Sequence, residues 1–184
     1  MTDLVELATQ IRAITVEIGD GRTGYASAVL WQPGWAVTNA HVARHSRVAV
    51  RLAHGHPFEA EVAARDERAD LALLRLPDVA TARARLAESD RVRVGSLVIA
   101  VGHPFGARAA VTAGIVHAVG PVVHGGRAWI QADVRLAPGN SGGPLADAAG
   151  CVVGINTMMA GALALAIPIS DVQRFVEASR VLST

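Results

Sequence analysis

The sequence has no lysine, one cysteine, few aromatics and no long uninterrupted apolar run, and each shortage excludes something. All 17 basic residues are arginine, and 16 acidic residues oppose them to leave a net charge of +1. Such a balance offers no broad positive footprint for nucleic acid. Aromatics make up 4%, so stacking platforms would have to come from three Trp, three Phe and one Tyr. Cys151 alone rules out a disulfide within the chain and a zinc site built mainly from thiolates. Between residues 136 and 170 the only charge is Asp147, but Pro138, Gly142, Pro144, Gly150, Gly154 and Pro168 interrupt the stretch. No membrane-spanning helix survives that punctuation. Asp3, Glu6, Arg12 and Glu17 mark an N-terminus without the apolar run of a signal peptide. Location stays open: periplasmic or extracellular if the sequence is trimmed from an exported protein, otherwise cytoplasmic.

What is present is an apolar share of 51% in 184 residues, enough for one domain or two small lobes sharing a core. Short β-branched runs alternate with Gly, Pro and Asn, the pattern of an all-β barrel or sandwich. Candidate strands cover 11–18, 26–30, 35–38, 48–51, 59–64 and 71–75, then 97–101, 109–119, 128–132, 144–146, 151–157 and 162–168. The charged stretch 77–93 has no β-run and reads as a solvated connector. Helical spacing occurs only at the ends. Leu4, Leu7 and Ile11 suggest a short entry helix over 3–10, and Ser170 with Gln173 forms a capping-box pattern opening a closing helix. The expected organisation is a single domain. Residues 1–76 hold the entry helix and first lobe, 77–93 the connector, 94–169 the second lobe and 170–184 the C-terminal helix.

The most specific string is Pro138-Gly139-Asn140-Ser141-Gly142-Gly143-Pro144. Glycines on both sides of a serine let backbone N–H groups approach a reacting carbonyl. A serine at its free pKa is a weak nucleophile and needs a histidine base with an acid to orient it. Of seven histidines, His41 follows a strand and a small-residue turn in Val37-Thr38-Asn39-Ala40-His41-Val42. Asp70 directly precedes the apolar Leu71-Ala72-Leu73-Leu74, whereas Asp66 and Asp78 sit among loop-like neighbours. The chain order His41, Asp70, Ser141 is that of the chymotrypsin-type double barrel. It assigns the first two residues to one lobe, the serine to the other and the site to the cleft. His41 with His45, and His54 with His56, lack the glutamate of a zinc-protease spacing, so no metal is expected.

Thr38-Asn39-Ala40-His41-Val42, Ala69-Asp70-Leu71-Ala72-Leu73-Leu74, Val101-Gly102-His103-Pro104-Phe105-Gly106, Val111-Thr112-Ala113-Gly114-Ile115-Val116 and the Ser141 string with Leu145 together resemble the HtrA/Deg serine proteases. Gly154-Ile155-Asn156-Thr157 and Ala166-Ile167-Pro168 extend the similarity over about residues 3–178. The resemblance implies two six-stranded antiparallel β-barrels with a helix at each end, and endoproteolysis of unfolded or damaged polypeptides. It implies no cofactor and suggests a trimeric homo-oligomer. The reading expects the protease domain alone, without a PDZ domain. It also implies the roles: Ser141 attacks, His41 shuttles the proton, Asp70 orients His41, and the N–H groups of Gly139 and Ser141 form the oxyanion hole.

Substrate backbone is expected along the edge from Asn156 through Thr157 to Met158. The pocket for the side chain before the cut is expected from Leu136, Met158 and Ala164, favouring small or medium apolar residues. Arg135 departs from the usual aliphatic residue; an outward side chain keeps that pocket apolar, an inward one would select acidic residues. His103 replaces the family's usual asparagine and receives no catalytic role. Tyr25-Ala26-Ser27 lacks the usual glycine-serine-glycine. Met159 and Cys151 read as core filler. Two other functions compete: a binding or chaperone module whose site is unassembled or activator-dependent, and a hydrolase of small esters.

Overall fold

In the computed structural model, residues 3–19, 25–53, 55–77, 83–88 and 91–181 are described. Their β-runs become β1 (Thr15–Ile18), β2 (Ala26–Gln32), β3 (Trp35–Thr38), β4 (Arg47–Arg51), β5 (Phe58–Asp66) and β6 (Leu71–Arg75), closed in the order β1-β2-β3-β6-β5-β4. A second closed barrel runs β10-β11-β12-β9-β8-β7. Its strands are β7 (Leu97–Gly102), β8 (Ala110–Pro121), β9 (Ala128–Ala132), β10 (Pro144–Asp147), β11 (Val152–Ala160) and β12 (Leu163–Pro168). Every strand pair among the described residues is antiparallel.

Val16, Val29, Val37, Val50 and Leu73 fill the first barrel, and Val98, Val116, Ile130, Leu145 and Val153 the second. Each such side chain contributes about 1.5–3 kcal/mol by leaving water. The first core continues through Ile99, Val101, Ile155 and Ile167 of the second barrel to Val172 and Val176 of the closing helix α2 (Ile169–Val181). Glu17, almost fully buried on β1, meets Arg51 of its own barrel at 3.7 Å and Arg108 of the other at 3.8 Å. A buried carboxylate needs such partners.

The structure corrects several expected boundaries. Asp3 caps helix α1 (Leu4–Ala13), which buries Leu7 and Ile11. Ile11 therefore belongs to the helix, and the first strand starts only at Thr15, after the chain turns at Ile14. Ser170 lies inside α2, one residue past its start, so it does not cap it. The connector is not simply solvated. Ala84 and Ala87 are buried, Ala84 N–H donates to the Leu30 carbonyl, and Leu86 bridges Val152. Apolar alanines dispersed among arginines carry no β-period, which hides this packing from the sequence. Asp78, Asp90 and His54 lie outside the described residues.

Candidate active site

β3 ends at Thr38, and the following turn folds back on Asn39, whose carbonyl accepts the N–H groups of Val42 and Ala43 at 3.2 Å. The Asn39 amide donates to the Asp70 carbonyl at 2.9 Å and to Thr157 Oγ1 of β11 at 3.1 Å. One buried side chain thereby joins the His41 turn, the Asp70 turn and the second barrel. Asp70 has φ +54, in the left-handed region that aspartate tolerates better than bulky residues. Its Oδ1 accepts the His41 backbone N–H at 3.0 Å, and its two oxygens lie 3.0 and 2.9 Å from His41 Nδ1. An ionised carboxylate only accepts, so Nδ1 carries the proton and Nε2 of a neutral imidazole is left as the acceptor. Asp66 is engaged differently, capping the N–H groups of Arg68 and Ala69 at 2.8 and 3.0 Å.

Ser141 arrives from the second barrel on a loop pressed against the first. Its carbonyl accepts the Ser27 N–H of β2 at 2.8 Å. The next residue, Gly142, has φ +83, and a Cβ there would lie 2.0 Å from the Ser27 carbonyl oxygen. Only glycine fits that approach. Asn140 N–H closes a turn to the Ala137 carbonyl at 3.0 Å. No acceptor among the described residues takes the N–H of Gly139 or of Ser141. Ser141 Oγ donates to the Thr157 carbonyl at 2.9 Å and makes no hydrogen bond to His41.

A cavity of about 510 Å³ opens beside His41 and Asp70, walled by Trp129, Thr157, Met158 and Arg127. The Arg127 guanidinium lies 4.5 Å from the Trp129 ring centre. Among the described residues no group of three potential metal ligands is gathered, and no helix is long and apolar enough to cross a membrane.

The family described as trypsin-like peptidase domain matches residues 26–155, a span that includes both turns and the Ser141 loop. The chain belongs to the trypsin-like peptidases. Its relatives include the periplasmic serine endoprotease DegP of Salmonella typhimurium, 41% identical over 129 residues, which are 67% of this chain and 27% of that protein. A probable periplasmic serine endoprotease, DegP-like, of Ectopseudomonas mendocina is 43% identical over 129 residues, 68% of this chain and 27% of the relative. The chain thus spans about a quarter of the length of the curated relatives it matches, 27% in both. Among solved structures, the HtrA-type protease AlgW with tripeptide superposes with a TM-score of 0.83 at 31% identity, covering 92% of this chain and 60% of that one. A variant of AlgW with tripeptide gives 0.87 at 29% identity, covering 96% of this chain and 63% of the other. The double barrel of this trypsin-like chain is the HtrA protease fold.

The other expected site residues are scattered in character. Arg135 is exposed, Leu136 is half-buried against the second core, and Ala164 is buried on β12. Asn156 is not part of an open edge: its N–H binds the Gly143 carbonyl, its carbonyl binds the Gly142 N–H, and its amide donates to the Pro144 carbonyl at 2.8 Å. A pairing edge can begin only at Thr157. Met159 is 39% exposed and is not core filler. A bulge between Asn156 and Met158 breaks the two-residue alternation, leaving both methionines on the open side. Cys151 is buried as expected.

Sequence reasoning missed Asn39, Arg127 and the pair Ser27 and His103. Ser27 Oγ lies 3.0 Å from His103 Nδ1, and burial, with Arg108 nearby, lowers the His103 pKa to about 4. The available signal was that His103 replaces the expected asparagine and that Ser27 lies in a segment without the expected glycines.

Proposed function

We propose that this chain is a serine endopeptidase acting on unfolded or damaged polypeptides, with His41, Asp70 and Ser141 as its triad. The observation that carries the reading is the paired hydrogen bonding of Asp70 to His41, which leaves Nε2 as a proton acceptor on a residue that lines the cavity. Ser141 Oγ attacks the scissile carbonyl, Nε2 takes its proton and later gives it to the leaving amine, and the N–H groups of Gly139 and Ser141 bind the oxyanion. Donors of this kind are worth about 2.7–4 kcal/mol each in related chemistry.

An extended substrate adds as a strand at Thr157 and Met158, since an unfolded chain offers free N–H and C=O groups. A substrate N–H that takes the Thr157 carbonyl releases Ser141 Oγ to turn toward His41. Leu136, Met158 and Ala164 supply the pocket before the cut, and the exposure of Arg135 supports small or medium apolar residues there.

The binding-module reading has one observation on its side, the hydrogen bond that turns Ser141 Oγ toward Thr157 in the resting structure. A fluorophosphonate probe with casein degradation separates the readings. Labelling and cleavage by the natural sequence, both lost in Ser141→Ala, support the peptidase. Absence of labelling favours the binding module, and turnover of activated esters without casein cleavage favours a small-ester hydrolase.

A further inference from the structure

The peptide planes of the loop before Ser141 are held from outside the loop. The Pro138 carbonyl accepts the Phe105 N–H at 3.1 Å. In a trans peptide the carbonyl and the following N–H point in opposite directions, so this bond fixes the direction of the Gly139 N–H. The Gly139 carbonyl is held twice, by the His103 N–H at 3.1 Å and by Ser27 Oγ at 2.7 Å. Gly139 has φ +112, and a Cβ there would lie 2.1 Å from the His103 carbonyl oxygen, so the two segments run in direct contact.

The short contact of Ser27 to the Gly139 carbonyl favours one proton arrangement. A hydroxyl has one donor and two acceptor sites. A carbonyl brings no proton, so the 2.7 Å contact to Gly139 uses the hydroxyl hydrogen. The remaining sites of Ser27 Oγ accept the His103 N–H at 3.1 Å, a hydrogen shared with the Gly139 carbonyl, and face His103 Nδ1 at 3.0 Å. With the hydroxyl hydrogen on the Gly139 carbonyl, Nδ1 is the protonated ring nitrogen. The opposite tautomer would claim the Ser27 hydrogen and leave the Gly139 carbonyl with one donor.

We propose that Ser27 and His103 are positioning residues: the Nδ1–H of His103 commits the Ser27 hydroxyl to the Gly139 carbonyl and so holds the oxyanion loop in its working orientation. Ser27 belongs to the first barrel and His103 to the second, so the latch also reports their contact to the loop. The proposal rests on the peptidase reading above for its kinetic consequence, but its proton arrangement does not.

Two measurements on the full chain test it. Nitrogen-15 NMR of the histidine rings reads the tautomer without reference to activity: a protonated Nδ1 in His103 that changes on Ser27→Ala supports the latch, and a protonated Nε2 overturns it. Kinetics on a cleavable peptide, with fluorophosphonate labelling rates, then compare Ser27→Ala, His103→Leu and His103→Asn. Loss of a held donor predicts that kcat and labelling fall by about 10-fold or more in the first two with KM little changed. His103→Asn, whose amide supplies N–H near the Nδ1 position, restores most of the loss. Equal behaviour of the Leu and Asn variants, or folded variants with kcat within about twofold of the natural sequence, overturns the proposal. If labelling persists in Ser141→Ala, the triad reading fails instead, and the tautomer still decides the latch.

Discussion

Arg127 of the second barrel donates a hydrogen bond of 2.8 Å to the carbonyl of Ala69 in the first. That carbonyl belongs to the peptide entering Asp70, the residue with φ +54 that holds His41. The same guanidinium reaches the Arg68 carbonyl at 3.4 Å and Asp171 of α2 at 3.8 Å, with Trp129 beneath it. The turn that presents the proposed acid is thus anchored by the opposite barrel.

Arg127→Ala is expected to lower kcat by about 10- to 100-fold on a peptide substrate, the scale of a misplacement near 1 Å. Arg127→Lys rescues little, because an ammonium cannot serve two carbonyls and a carboxylate in a planar fork. Steady-state kinetics beside urea denaturation separates the loss of geometry from loss of fold; an unchanged kcat in a folded Arg127→Ala protein contradicts the anchoring role.

Asp70→Asn preserves one oxygen for the His41 backbone N–H but presents an NH₂ to the ring in place of the second. The imidazole then favours the tautomer with the proton on the wrong nitrogen. A fall in kcat of about 10⁴-fold is expected with the fold intact. Peptide hydrolysis and circular dichroism on the same sample check it.

His103 sets a pH slope on stability. Its pKa is lowered by burial to about 4, with the Arg108 guanidinium adding to the effect, while Arg108 itself is partnered by Glu17. An unfolded histidine titrates near 6.5, so between about pH 4 and 6.5 the unfolded chain binds more protons. Stability contributed by neutral His103 is therefore complete above pH 6.5 and is lost as pH falls toward 4, by about 3 kcal/mol in all. Urea midpoints across that window should flatten in His103→Asn; an equally steep slope in the variant contradicts the assignment.

Two glycines with similar backbones should respond unequally to alanine. Gly34 has φ +76 with nothing within 4 Å of a built Cβ, so Gly34→Ala costs only the backbone strain, about 1–2 kcal/mol. At Gly142, φ +83 combines with a Cβ 2.0 Å from the Ser27 oxygen and 2.2 Å from Thr38 Oγ1. Gly142→Ala should cost about 3–5 kcal/mol and displace Ser141, as thermal melts and probe labelling would register.

The barrels were legible where a local pattern and a local structure coincide. Trp35–Thr38, Leu71–Arg75 and Ala128–Ala132 are bounded in the structure where the β-runs begin and stop. Ile11 reads as strand in sequence because a β-branched run beginning at Ile14 follows it closely, and only its burial beside Leu7 on one helical face shows that it lies in the last turn of α1. His41, Asp70 and Ser141 could be nominated because each sits in a compact string. Asn39, Arg127, Ser27 and His103 make their hydrogen bonds across long sequence separations, which leave no local pattern to show the partners. Asn156 illustrates the converse: its string was recognised, but the loop it binds was not visible, so its saturated backbone was taken for an open edge.

The loop bearing Ser141 joins β9 to β10 of the second barrel, yet Ser27 and Thr38 of the first barrel enclose Gly142. The cleft is therefore not a gap between two finished halves. Any loosening of the barrels against each other dismantles the seat of Ser141 before either barrel opens. Heat or denaturant should abolish turnover ahead of the loss of β-structure, making catalysis itself a gauge of cohesion between the halves.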